Sequence, residues 1–148
     1  MEFRSRPKSN YLLNAEWQEL HALTGHWQSD IKFFEDEISF LALLFDKYFA
    51  AFTDKENIER TKAVAANLSS IETQRKEIGI RIVKHLHRTE ALLLDPFAND
   101  SASLRNEHEA LEDELTSFVK SFRGVKQEVF NLAERVAVAD KTKRFITS

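Results

Sequence analysis

Apolar and aromatic side chains return along the first third of the chain at alternating steps of three and four: Trp17, Leu20, Trp27, Ile31, Phe34, Ile38, Leu41, Phe45, Tyr48 and Phe52, with Thr24 filling one place in the series. A period of 3.5 residues buries one seam of a helix against other helices over many turns. Because Leu13 already falls on the series, the pattern predicts a helix over about 13–52. From Trp17 to Phe52 such a helix would span roughly 54 Å at the usual rise, so its partners must be long as well.

The rest of the chain supplies those partners. Val64, Leu68, Ile71, Arg75, Ile78, Ile82, His85, Thr89 and Leu92 predict a second helix over about 54–94, and Leu104, His108, Leu111, Leu115, Phe118, Phe122, Val125, Val129, Leu132 and Val136 a third over about 102–140. Thr53-Asp-Lys-Glu56 matches a capping box, which makes the first connection very short. Asp95-Pro96 ends the second helix, and Asn99 to Ser103 offers turn and N-cap chemistry for the third. Short connections make neighbouring helices antiparallel. The expected fold class is therefore all-α: one domain over 1–148, an antiparallel up-down-up bundle of three long helices with coiled-coil-like heptad packing, open to completion by dimerisation. A polar arm over 1–10 precedes it, and the last residues after 140 should fray. Gly25 inside the first helix costs about 1 kcal/mol relative to Ala, so a kink or a close contact is expected there.

Composition agrees. Only two prolines and three glycines interrupt 148 residues, and β-branched runs bounded by turn pairs are missing. Without cysteine there is no disulfide, thiolate metal site or thiol nucleophile, which agrees with a reducing compartment. The longest apolar run, Phe40 to Phe45, stops at Asp46, far short of a bilayer span. A cytoplasmic protein with no stable membrane association is the expectation, the basic residues of the arm and tail being read as solvated termini. A net charge of −3 gives no reason to expect nucleic acid. Charge does support pairing of the second and third helices: Arg75 to Arg88 carries a net +4 and Arg105 to Glu114 a net −4. Folding at Pro96 lays one beside the other.

Candidate chemistry is sparse. Reflecting the chain about its two turns brings His21, His26, His85, His87 and His108 to one end of the bundle. His85 and His108 lie on seams, His21 flanks one, and Glu112 follows His108 by one turn. His21, His85, His108 and Glu112 are thus candidate ligands for a divalent metal such as Zn, Fe or Mn. Neither a Glu three residues before a His nor a pair of His four apart supports that set. The simpler reading is a polar layer, with His85 and His108 bonded to each other, to Thr89 or to an acid, that fixes register. Arg75, on the seam, calls for an ion pair, with Glu35 as first candidate and Glu72 beside it. Trp27 stands level with Gly79 and Ser117, small residues that could make room for an indole.

Phe33, Phe40, Leu43 and Leu44 fall outside the first seam, and Ile80 and Val83 outside the second. Such surplus apolar surface marks a partner, either a second copy or another protein. No phosphate-binding loop, catalytic triad order or carboxylate pair suggests an enzyme. The sequence points to a non-enzymatic helical bundle acting by self-association or protein-protein interaction, without a cofactor. The alternative is a metal-binding bundle using the histidine end.

Overall fold

The computed structural model describes residues 17–49, 58–95 and 101–147, with side chains as far as 138. Three helices carry them: α1, Trp17–Phe49; α2, Ile58–Leu94; and α3, Ser101–Thr147. They pack against one another, and no strand occurs among the described residues, so the protein is all-α. The capping box expected at Thr53 to Glu56, and the turn from Pro96 to Asn99, lie outside the described residues. At the end of α2 the Asp95 N–H donates to the Ala91 carbonyl at 3.0 Å, the last helical bond before the proline. Where fraying was expected after 140, α3 continues to Thr147. No glycine or proline follows Gly124, so nothing in the chain breaks the ladder there.

The seams dominate burial. On α1 the buried positions are Leu20, Thr24, Trp27, Ile31, Phe34, Ile38 and Leu41, and on α3 the steps of three and four continue unbroken from Leu104 to Val136. On α2 the series begins one step earlier than the apolar pattern shows, at Thr61, and then runs from Val64 to Leu92. Polar members of the series, Thr24, Thr61, Arg75, His85, Thr89 and His108, are buried with the rest.

The chain divides into two compact units, one of Met1–Phe34 and Gln74–Val119, the other of Glu35–Thr73 and Lys120–Ser148. In the first, His21 of α1 meets Thr89 of α2, and Ile31 meets Gly79. As the number rises on one helix it falls on the other. The α2–α3 contacts also step in opposite senses, with Arg88 paired to Glu107 and Arg81 to Glu114. These two ion pairs realise the charge match expected between the helices. Being partly exposed they contribute only tenths of a kcal/mol each, so they select the pairing more than they stabilise it. Phe34 of α1 meets Phe118 of α3 edge to face, with ring centroids 5.2 Å apart.

In the second unit Asn67 of α2 donates to Glu128 of α3 at 3.0 Å, and Lys126 of α3 reaches Glu37 of α1 at 3.4 Å. Leu44, Phe45 and Phe49 of α1 border a small dent against Val129 and Leu132 of α3. No helix among the described residues is long and apolar enough to cross a membrane.

Gly25 does not break α1, and a Cβ placed on it would meet nothing within 4 Å; the same holds for Gly124 in α3. A close approach therefore does not account for Gly25. At Gly79 a Cβ would touch Ile31 Cγ2 at 3.4 Å. Gly25→Ala and Gly124→Ala should each raise unfolding free energy by about 1 kcal/mol in urea titrations. Gly79→Ala should gain at least as much, because the added methyl meets Ile31 at van der Waals distance.

Candidate functional site

Two polar seam residues of the first unit, His85 and His108, meet in a buried layer. His85 from α2 and His108 from α3 are both 0% exposed, and so are Trp27 of α1 and Thr89 of α2. Their positions follow from the seam spacing: each takes a place where an apolar residue would otherwise point inward. His85 Nε2 and His108 Nδ1 lie 2.8 Å apart, a hydrogen bond that needs one proton between the two rings. The Glu107 carboxylate lies 3.3 Å from His85 Nδ1, too poorly aligned for a hydrogen bond but close enough to bias the tautomer. Its field favours the proton on Nδ1. His85 Nε2 is then the acceptor and His108 Nδ1 the donor.

Glu107 is in turn ion-paired with Arg88. Burial, and after it the nearby Arg88 guanidinium, push the His85 pKa down from 6.5 to about 4. Glu107 would act in the opposite sense, but its charge is already met by Arg88. His85 is therefore neutral in the folded protein at physiological pH. The indole of Trp27 stacks on His108 with centroids 4.5 Å apart and planes 24° from parallel, and closes the layer from the α1 side. Its Nε1 has no hydrogen-bond partner among the described residues.

His21 forms a separate arrangement. Thr89 Oγ1 donates to the Leu86 carbonyl at 2.9 Å, which spends its only proton. The 2.9 Å contact between His21 Nδ1 and Thr89 Oγ1 is consequently an N–H donation from the imidazole. Of the four candidate metal ligands, then, His85 and His108 are turned toward each other and His21 toward Thr89. Glu112 is buried one turn beyond His108. Among the described residues no group of three or more His, Asp or Glu is placed to hold a metal ion. The arrangement is suited to fixing imidazole tautomers, and its buried rings are closed to a substrate.

Glu107 was not legible as a member of the layer, because it precedes His108 and lies off the α3 seam. The Trp27 stack was missed for a related reason: reflection about the turns placed the indole level with Gly79, whereas Ile31 is the side chain that faces that glycine. Arg75 is buried, and Glu35, its expected partner, is exposed. Of the predicted association flank, Phe33 is exposed in the first unit, whereas Phe40 and Leu43 are exposed in the second and Leu44 is half-buried there.

The second unit also carries an open cleft of about 890 Å³ between α2 and α3. Ala63, Val64, Leu132 and Val138 give it apolar walls, and Arg60 and Arg135 lie at its rim with Glu128 and Glu134. These charges are of both signs. No protein-family model, curated protein or solved structure matches the chain.

Acid should expose the cost of the layer. With the folded pKa of His85 near 4 and the unfolded value 6.5, only the unfolded chain takes up this proton between those limits. Stability from this group is complete above 6.5 and is lost as pH falls toward 4, by about 3 kcal/mol. His85→Leu alone should destabilise by about 1–3 kcal/mol at neutral pH, since it orphans the His108 donor. The double variant His85→Leu with His108→Leu should recover most of that loss and flatten this pH dependence, as read by urea unfolding at several pH values.

Proposed function

We propose that this protein is a non-enzymatic helical bundle that acts through protein-protein contact, first of all with a second copy of itself, across the exposed flank of α1. The observation that carries the reading is the exposure of Phe40 (55%) and Leu43 (70%) three residues apart on one face of a helix whose opposite face buries Ile38 and Leu41. Side chains of that size, adjacent and open to solvent, are stabilised by an apolar partner surface. The buried histidine layer supports the same reading from the other side, because its polar groups hold one another instead of converging on an accessible reactive centre. Within this proposal the protein works in the cytoplasm, with which a cysteine-free sequence is compatible.

The proposal predicts a concentration-dependent dimer. Sedimentation equilibrium at tens of micromolar should show a mass above 17.2 kDa. Phe40→Asp and Leu43→Asp should each return the chain to monomer with unchanged helicity by circular dichroism. A wild-type chain that stays monomeric throughout, and binds no dye specific for exposed apolar surface, would refute the reading.

A further inference from the structure

The exposed face of α1 in the second unit contains more than two apolar side chains. Asp36, Phe40, Leu43 and Lys47 are spaced four, three and four apart and are all exposed. On a helix that spacing lines them up in one stripe, with an acid at the N-terminal end, a base at the C-terminal end and the two apolar residues between. The midpoint of Asp36 and Lys47 along the helix coincides with the midpoint of Phe40 and Leu43. Rotating the stripe by half a turn about that midpoint therefore exchanges Asp36 with Lys47 and Phe40 with Leu43. The pattern is its own complement.

Asp36 has no hydrogen-bond or ion-pair partner among the described residues, and Lys47 touches only the adjacent Tyr48 ring, 5.4 Å from its centroid. Among the described residues, then, neither carboxylate nor ammonium is committed to an ion pair. From the sequence pattern and these exposures we infer that two copies pair through this stripe in antiparallel orientation about a two-fold axis near residues 41 and 42. Phe40 of one copy lies on Leu43 of the other, and Asp36 of each reaches Lys47 of its partner, twice by symmetry. An isologous contact of this kind closes on itself as a dimer, whereas insertion of the stripe into the α2–α3 cleft of the next copy would propagate. A parallel arrangement would set Asp36 against Asp36 and Lys47 against Lys47. The contact is small, with two apolar side chains per copy at its centre, so affinity in the micromolar range is expected.

This inference rests on the self-association proposed above and specifies its geometry. Charge exchange tests it by sedimentation velocity and equilibrium, with circular dichroism confirming helicity. Asp36→Lys and Lys47→Asp should each weaken the dimer about tenfold, because each replaces two attractions with two repulsions. Combining both substitutions in one chain should restore wild-type affinity. Pairing in parallel would leave the single variants at wild-type strength, and docking in the cleft, where Asp36 and Lys47 do not face each other, would give no rescue in the double variant. Either result overturns the antiparallel stripe. If Phe40→Asp abolishes the dimer while neither charge variant alters it, self-association stands and this geometry falls. A monomeric wild-type chain overturns both.

Discussion

A hydrogen bond between two neutral imidazoles, shut away from water, is the constraint on which the axial arrangement of the first unit depends. A seam of apolar residues spaced three and four apart repeats every seven residues, and a slide of one heptad would bring equivalent apolar side chains together again. Hydrophobic burial alone leaves that choice nearly open. His85 and His108 remove it. Moved by one heptad along α3, His85 would face the Leu115 level instead of His108, leaving buried ring nitrogens without partners at a cost of a few kcal/mol. The bond at 2.8 Å satisfies one nitrogen from each ring only in the observed register.

The surroundings keep that bond in its neutral form. Burial disfavours a charged imidazole, and Arg88 opposes a second positive charge nearby while neutralising Glu107, the one group beside His85 that would favour protonation. Trp27 covers His108 with a flat apolar surface. His21, tied to Thr89, leaves the pair undisturbed. His85, His108 and Thr89 thus each meet a polar partner on another helix. The same imidazoles in an open cleft could bind a metal or move protons; here they hold one another.

Much of the fold was legible because one physical rule governs most of it. A 3.5-residue period places side chains on one helix face, and the residues named from that spacing on α3, from Leu104 to Val136, are the ones found buried. Phe40 and Leu43 were legible by the same rule as residues that fall outside the seam and stay exposed. Glu107 and the Trp27 stack were not, since they depend on the rotation of neighbouring helices about their own axes, which heptad spacing constrains only loosely. The cleft between α2 and α3 was equally hidden: its rim is formed by off-seam residues such as Arg60 and Arg135, whose proximity no periodicity records. Thr61 escaped notice as a core residue because burial of a threonine depends on its helix face, whereas an apolar pattern registers only side-chain type.

The most direct test of the account is a 15N NMR titration of the imidazole rings of His85 and His108 in the intact protein. At pH 6 the His85 ring is expected to be neutral with its proton on Nδ1, beside a His108 Nδ1–H that donates to it, and His85 should begin to titrate only as pH approaches about 4. A His85 ring that titrates near 6.5, with the rapid tautomer averaging of a solvent-exposed histidine, would contradict the account.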